Sequence, residues 1–185
     1  MTGKKSMLGT ILIVVAALIV VLLVVIALQS AEYRIERKAL ISASTDVVFA
    51  QVNDFHKWDA WSPWAKLDPG IKQTYEGSPA GEGSVYSWSG NKKVGEGRMT
   101  LTDSRPNELV RIRLEFLKPF ASTAMTEFTF KPEGNQTAVT WSMSGKNGFM
   151  AKAFSLFMNC DKMVGDQFEK GFANLQKAVA SSAKN

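Results

Sequence analysis

Six consecutive runs of alternating apolar and polar residues follow Pro69-Gly70, and they constrain the fold more than any other feature of the sequence. The runs are IKQTYEG, SVYSWSG, GRMTLTD, LVRIRLEFL, TAMTEFTFK and TAVTWSMSG. A period of two is typical of β-strands with one buried face. The breaks between the runs are short and rich in glycine, proline or asparagine, which favours antiparallel hairpins over crossover connections. With residues 34–42 as a further strand before them, we expect seven antiparallel strands.

The alternation places large apolar side chains on one face of this sheet. Arg111, Arg113 and Glu115 fall on the opposite face and are expected to be solvated. The apolar set comprises Tyr86, Trp88, Met99, Leu101, Ile112, Leu114 and Phe116, with Phe128, Phe130, Val139, Trp141 and Met143 expected to join them. A sheet that is apolar on one side needs another layer to cover it.

The C-terminal region supplies that layer. Apolar residues recur at steps of three and four from Met150 to Val179, which predicts one helix with a single apolar stripe over about eight turns. Gly165 and Gly171 fall inside it and suggest close packing or a bend, because glycine is costly in a helix interior. Two short helices are expected after the first strand. The first begins at residues 44–46 and the second contains Phe55, Trp58 and Trp61.

An uncharged apolar run of 21 residues occupies positions 8–28. As a helix it would be roughly 32 Å long, which matches the hydrocarbon thickness of a bilayer. A cleaved signal peptide and a buried soluble helix are the alternatives. We favour an uncleaved single-span anchor, because the run is longer than a usual signal sequence and ends without a clear cleavage site.

The basic residues that flank this run nearly balance, so they decide the orientation only weakly. Lys4 and Lys5 precede it, whereas Arg34, Arg37 and Lys38 follow it. We expect the short leading tail to stay inside and the domain to lie outside the cytoplasm, in the bacterial periplasm. The predicted organisation is a tail (residues 1–7), a transmembrane anchor (8–28), a linker (29–33) and one domain (34–182).

The composition argues against several classes of site. The single cysteine, Cys160, excludes an internal disulfide, and with the single histidine, His56, it leaves too few ligands for a classical zinc site. No nucleophile elbow, zinc-protease motif or phosphate-binding loop occurs. The net charge of +5 is scattered rather than clustered, so nucleic acid is not an expected partner. We predict no catalytic residues, no metal and no cofactor.

Five stretches in the same order resemble the START-like helix-grip superfamily, and specifically its SRPBCC branch described as polyketide cyclase/dehydrase and lipid transport. They are VFAQVNDFHKWDAWSPW (48–64), DP with YEG (68–69 and 75–77), YSWSGNKKVGEGRM (86–99), FTFKPEGNQTAVTWSM (128–143) and DKMVGDQFEKGFANL (161–175). The resemblance implies an α+β fold in which a curved, seven-stranded antiparallel sheet wraps around a long C-terminal helix. Two short helices follow the first strand, and one transmembrane helix precedes the domain.

The resemblance also implies a cavity between the sheet and the helix, which large, aromatic and methionine side chains would line. Simple core packing is the alternative for each residue singly. The candidate ligand-binding residues are Trp58, Trp61, Trp64, Tyr86, Trp88, Met99, Leu114, Phe116, Phe128, Trp141, Met143, Phe154, Phe157, Asp161 and Phe168.

Four of these positions, the three neighbouring tryptophans and Asp161, carry specific alternatives. Trp58, Trp61 and Trp64 would form either a gate at the edge of the cavity or a hydrophobic plug, and we favour the plug. Asp161 falls on the apolar stripe, where a carboxylate is costly unless it is paired or wet. It would contact a ligand headgroup or lie at a cavity mouth or a helix boundary.

The favoured function is therefore a membrane-anchored domain that binds a hydrophobic small molecule or lipid, for transport or sensing. An enzyme similar to the cyclases is the first alternative, with Asp161, Glu127 or His56 in polar roles. A protein-interaction or co-chaperone-like module is the second alternative.

Overall fold

The computed structural model describes residues 3–182, which divide into two compact units. The first unit comprises the chain up to Tyr33 together with Asn147–Cys160, and the second comprises Arg34–Lys146 and the chain from Asp161 onward. The elements in chain order are α1 (Gly3–Leu28), β1 (Glu32–Ile41), α2 (Thr45–Val52), a 3₁₀ helix (Phe55–Ala60), β2 (Lys72–Gly77), β3 (Ser84–Ser89), β4 (Glu96–Arg105), β5 (Leu109–Lys118), β6 (Ser122–Glu133), β7 (Gln136–Lys146), α3 (Phe149–Ser155) and α4 (Cys160–Ser182).

The first unit contains α1 and α3. Within the described residues, Met7–Leu28 is one helix that is long and apolar enough to cross a membrane. Its large apolar side chains are exposed over most of its length, and Ile26 in its last turn is buried. A helix that is apolar on every side needs an apolar environment around it.

The second unit is built on a seven-stranded antiparallel sheet with the order β1-β7-β6-β5-β4-β3-β2. As the six alternating runs predict, strands β2 to β7 form consecutive hairpins. The structure adds that β1 pairs on the far side of β7. The register confirms the predicted apolar face, since Phe128 lies opposite Trp141 and Phe130 lies opposite Val139. We call this side of the sheet, which packs against α4, the inner face.

The opposite side of the sheet carries ion pairs. Arg111 lies opposite Asp103 of β4 and Glu127 of β6. Its guanidinium donates to Glu127 Oε2 from Nε and Nη2 at 3.0 and 2.9 Å, and to Asp103 Oδ2 from Nη1 at 3.2 Å. Arg111 lies on the face that the sequence predicts to be polar, and it is half-buried there. Its ion pairs connect β5 to both neighbouring strands.

The predicted single C-terminal helix is divided in two. The N–H groups of Phe157 and Met158 both donate to the carbonyl oxygen of Phe154 at 3.1 Å, which forms a turn after α3. Asn159 then precedes α4, and asparagine is among the residues preferred at a helix N-cap. The stripe continues in α4, where the buried side chains are Phe168, Phe172, Leu175 and Val179.

Two tryptophans attach the 3₁₀ helix to the end of α2. Trp58 Nε1 donates to the carbonyl oxygen of Val52 at 2.9 Å, and Trp61 Nε1 donates to that of Gln51 at 3.2 Å. The last carbonyl groups of a helix have no partner within the helix. The two indole groups satisfy two of them, which fixes the 3₁₀ helix and its aromatic side chains on α2.

Candidate functional site

Side-chain burial on the inner face falls from one end of the sheet to the other. Val110, Phe128 and Trp141 lie in register across β5, β6 and β7 and are fully buried. Towards the other end, Tyr86 and Leu114 are half-buried. Met99, which lies between them in register, is buried. We call this second end the open end; its half-buried residues are Tyr86, Trp88, Leu114, Phe116 and Met143.

The other end is filled by aromatic rings. Trp141 stacks on Phe168 of α4 with ring centroids 4.1 Å apart and an interplanar angle of 10°. Phe128 lies 4.7 Å from Trp141, and Trp61 packs edge-on at 5.7 Å. Trp58 and Trp61 are both buried in this cluster. Of the predicted residues, the structure brings together Trp58, Trp61, Phe128, Trp141 and Phe168 at this filled end.

Trp64 occupies the edge of this aromatic cluster. Its ring contacts Trp141 at 5.9 Å and Phe168 at 6.4 Å, and 36% of the residue remains exposed. The third tryptophan of the predicted triplet therefore differs from the first two in its access to solvent.

The indole of Trp141 is unusual in its polar group. The Nε1 atom is buried and has no hydrogen-bond partner among the described residues. Gly171 of α4 allows the ring to approach the helix, since a Cβ atom there would lie 2.6 Å from Trp141 Cζ3. Burying an N–H group without an acceptor costs free energy. The favourable packing of the Trp141 ring at the filled end must therefore outweigh this cost.

The open end is shaped by a close approach between β3 and β4. Trp88 lies directly over Gly97, whose hydrogen occupies the place where a Cβ would meet the Trp88 ring. The Trp88 Nε1 donates to the carbonyl oxygen of Val94 at 3.0 Å, and Phe116 packs edge-on against the ring at 6.2 Å. The absence of a side chain at position 97 thus lets the indole approach the backbone of β4 closely.

Tyr86 is the polar group of the open end. Its hydroxyl oxygen accepts a hydrogen bond from Gln73 Nε2 at 3.1 Å, and the same amide nitrogen donates to Asp59 Oδ1 at 3.1 Å. Burial raises the pKa of the Tyr86 hydroxyl, so the phenol is neutral at physiological pH. Since its oxygen already accepts a bond, the hydrogen is what Tyr86 can offer to a ligand.

Three further predicted residues are described separately. Asp161 lies in the first turn of α4, at a helix boundary, where it is exposed and its Oδ2 is 2.9 Å from Arg37 Nη2. The hydrogen bond from Arg37 lowers the pKa of the Asp161 carboxyl. Phe154 and Phe157 belong to the first unit and are exposed.

A pocket that the sequence analysis did not identify lies beside the start of the 3₁₀ helix. It has a volume of about 250 Å³, and Phe55, His56, Tyr75 and Ser84 are among its lining residues. His56 stacks on Tyr75 at 4.2 Å, and its Nδ1 lies 3.0 Å from Asp54 Oδ1. The sequence signal for this pocket was limited to the IKQTYEG and SVYSWSG runs, which predict the hairpin that carries Tyr75 and Ser84.

The Tyr75 hydroxyl is strongly perturbed. Burial, followed by the nearby Asp59 carboxylate, raises the pKa of Tyr75 to about 12. Tyr75 is therefore a hydrogen-bond donor at any physiological pH. The described residues contain no group of three histidine, cysteine or acidic side chains that could hold a metal ion.

Comparisons with solved structures place the fold among known proteins. The chain is similar to protein CV1439 from Chromobacterium violaceum (14% identity, TM-score 0.57, covering 79% of this chain and 96% of that one). It is also similar to the Aha1 dimer from Colwellia psychrerythraea (15%, 0.57, 80% and 96%) and to Mll3558 from Rhizobium loti (16%, 0.57, 81% and 99%). At these identities the likeness concerns the fold alone.

No curated protein sequence is significantly similar to this chain. Residues 32–180 match the sequence model of a family described as polyketide cyclase / dehydrase and lipid transport. This match extends from the first strand to the last turn of α4 and agrees with the helix-grip architecture of the sheet and α4. The chain therefore belongs to the polyketide cyclase / dehydrase and lipid transport family.

Proposed function

We propose that this protein binds an apolar small molecule or lipid at the open end of the inner face, and that α1 holds the domain at a membrane. The fall in burial along the inner face is the observation that carries the proposal. Where Trp61, Phe128 and Trp141 fill the space, no ligand is needed to complete the core. At the open end, large apolar side chains remain half-buried, and an apolar ligand would remove them from water.

The chemistry of the open end favours a mainly apolar ligand with one oxygen. Trp88, Leu114, Phe116 and Met143 offer aromatic, aliphatic and thioether surfaces, which suit a flexible hydrocarbon chain. Tyr86 adds a neutral hydroxyl that can donate to a carbonyl, ether or hydroxyl oxygen of the ligand. Asp161 is paired with Arg37. For Asp161 to contact a ligand headgroup, this ion pair would have to break.

The anchor fits this chemistry. An apolar ligand partitions into the bilayer, so a tethered domain stays near the store from which it loads. The exposed apolar side chains of α1 support its role as the span. We place the domain on the periplasmic side, with the short tail before α1 inside, and we propose transport or sensing of the ligand as the biological role.

Photocrosslinking in nanodiscs tests the binding site. The full chain is reconstituted with a phospholipid that carries a diazirine in its acyl chain, and the crosslinked peptides are identified by mass spectrometry. Crosslinks are expected on the strands that contain Tyr86, Leu114 and Met143. Crosslinks confined to α1 would contradict binding at the open end.

A matched pair of variants sharpens this experiment. Leu114→Trp adds bulk at the open end, whereas Arg113→Trp adds the same side chain at the next position of β5, on the opposite face. The first variant is expected to lower crosslinking to the sheet several-fold and the second to leave it unchanged. Equal effects of both variants would mean that the open end is not the site.

A second candidate function is catalysis in the pocket that contains His56 and Tyr75. The specific observation is that Asp54 orients the His56 ring through Nδ1 while Tyr75 remains a neutral donor beside it. A histidine oriented by a carboxylate is an arrangement used for proton transfer. Substrate turnover that Asp54→Asn abolishes, with ligand affinity retained, would favour this function over a binding role.

A further inference from the structure

The α3 segment, which we define as residues 149–158, exposes an unusual amount of apolar surface. Met150 is 77% exposed and Phe157 is 80% exposed. Phe149, Phe154 and Met158 are also exposed. Five large apolar side chains are thus exposed within ten residues, and such a concentration marks an interaction site rather than ordinary surface.

Hydrogen bonds hold this segment against the end of α1. The N–H of Asn147, two residues before α3, donates to the carbonyl oxygen of Ala31 at 2.7 Å. Ser155 Oγ lies 3.1 Å from Gln29 Oε1 and 2.8 Å from the carbonyl oxygen of Lys152, so its hydrogen is shared between these two acceptors. Because Gln29 and Ala31 directly follow α1, these bonds place the segment beside the point where the span ends.

Lys152 makes a third connection at the same level. Its ammonium group donates to the carbonyl oxygen of Ala27, in the last turn of α1, at 3.4 Å. A cation is favourable near the free carbonyl groups of a helix C-terminus. A lysine near the end of a span can also keep its charge at the membrane surface while its methylene groups lie on apolar neighbours.

These contacts determine which partner fits the patch. If α1 spans a bilayer, its last turn lies at the boundary between acyl chains and headgroups, and the α3 segment lies at the same depth. The exposed apolar side chains of the segment then lie beside the end of α1, whose own exposed apolar side chains the bilayer must cover. Apolar side chains beside a basic residue are typical of segments that lie in the membrane interface.

We propose that the α3 segment is a second membrane-contacting element, which inserts its phenylalanine and methionine side chains into the headgroup–acyl boundary beside α1. This inference rests on the proposed role of α1 as the anchor.

Site-directed fluorescence in proteoliposomes tests the proposal. The full chain with Cys160→Ser carries one new cysteine at a time, labelled with a nitrobenzoxadiazole dye, in phosphatidylcholine vesicles. The tested substitutions are Met150→Cys and Phe157→Cys. Asn135→Cys, in the exposed turn between β6 and β7, is the aqueous control, and Val20→Cys, in the middle of α1, is the membrane control. All four positions are exposed, so none of the labels disturbs a buried core.

Dyes at positions 150 and 157 are expected to emit at shorter wavelength than the dye at 135. Nitroxide-labelled lipids should quench them, and aqueous iodide should quench them several-fold less than the dye at 135. Iodide quenching of both dyes equal to that at 135 would overturn the inference. Protection from iodide without quenching by nitroxide lipids would overturn it too, because a protein surface would then cover the patch.

The dye at position 20 separates this inference from the anchor on which it rests. If nitroxide lipids quench the dye at 20 but not those at 150 and 157, α1 is the anchor and the inference about the α3 segment is wrong. If the dye at 20 is itself not quenched by the lipids, the proposed anchor fails.

Discussion

The guanidinium of Arg37 lies directly over Gly165 of α4, in the space that a Cβ atom would occupy. The glycine has carboxylates four residues away on either side, and Arg37 pairs with Asp161 at 2.9 Å and with Glu169 at 3.4 Å. Residues four apart lie on one face of a helix. One arginine of β1 therefore bridges two turns of α4, and the absence of a side chain at position 165 makes room for it.

Gly165 and Gly171 lie in the same helix, but their substitutions should differ. At Gly171 a new Cβ would meet the buried Trp141 ring at 2.6 Å and Pro63 Cδ at 3.3 Å, and neither can move freely. Gly171→Ala is therefore expected to destabilise the fold by about 1–3 kcal/mol, as overpacking does. Urea denaturation of the full chain in detergent micelles, followed by tryptophan fluorescence, measures this change.

Gly165→Ala is the matched control for that prediction. Its Cβ would meet the flexible end of Arg37, which can swing into solvent. The substitution loses ion pairs with exposed carboxylates, but alanine is more favourable than glycine in a helix interior by about 1 kcal/mol. These two effects oppose each other, so the free energy of unfolding should change by less than about 1 kcal/mol. A loss as large as that of Gly171→Ala would contradict the proposed difference.

The displacement of Arg37 should also be visible in the titration of Asp161. Arg37 lowers the pKa of this carboxyl below 3.8, so the pair contributes stability above that pH and loses it as the pH falls through the folded-state pKa. In Gly165→Ala the pKa of Asp161 should return towards its usual value. Carboxyl carbon chemical shifts, followed by NMR against pH, report this change. An unchanged titration would mean that Arg37 keeps its place.

Arg111 should matter more for stability than its neighbour Arg113. Arg111 pairs with carboxylates on both adjacent strands, whereas Arg113 pairs with Glu115 at 3.5 Å on its own strand. Removing Arg111 leaves Asp103 and Glu127 without their shared cation. Arg111→Ala is expected to cost roughly 1 kcal/mol and Arg113→Ala a few tenths. Denaturation at low and high salt checks this, since salt should reduce the difference; equal costs would contradict it.

The sequence was sufficient to predict the sheet because its information is local. Alternation along each strand fixes which residues share a face, and short breaks fix the neighbours, so Phe128 and Trp141 could be assigned to one face. The C-terminal stripe was harder to interpret. Spacing indicates that Phe154 and Phe168 occur at helical intervals, but it does not reveal the turn at 156–159 or what covers each side chain.

The remaining features depend on contacts between distant residues. Arg37 and Asp161 are 124 positions apart, and neither has a local pattern that predicts the other. The pocket beside His56 likewise requires the 3₁₀ helix to meet the turn end of the first hairpin. Glycines gave a partial signal, since Gly165 and Gly171 were expected to indicate close packing. The structure identifies Arg37 and Trp141 as the groups that approach them.

Tyr75 should be the last tyrosine to ionise. Its pKa is about 12 in the folded protein and 10.0 ordinarily, so folding favours the neutral phenol. The raised pKa of Tyr75 therefore contributes to the free energy of unfolding below pH 10, and this contribution is lost as the pH rises towards about 12. A rapid pH jump, followed by tyrosinate absorbance, should show a final step that Tyr75→Phe removes and Tyr33→Phe retains. Persistence of that step in Tyr75→Phe would assign it elsewhere.

The hydroxyl of Tyr86 should contribute to affinity only for ligands that carry an oxygen. Since Gln73 already donates to this oxygen, the phenolic hydrogen is the group available to the ligand. Tyr86→Phe retains the ring, which contacts Trp88 and Phe55. One hydrogen bond of about 0.5–1.5 kcal/mol corresponds to a loss of about 2- to 10-fold in affinity for a long-chain alcohol. The measurement is the concentration dependence of photocrosslinking by a diazirine-bearing alcohol in nanodiscs.

The corresponding diazirine-bearing hydrocarbon, which lacks the oxygen, is the control for Tyr86→Phe. Because it cannot accept a hydrogen bond, its crosslinking should be the same in the wild type and the variant. Equal weakening of both probes would show that Tyr86→Phe acts through packing at the open end. No change with either probe would mean that the oxygen of the alcohol lies away from Tyr86, and the ligand would then have to be oriented by another group.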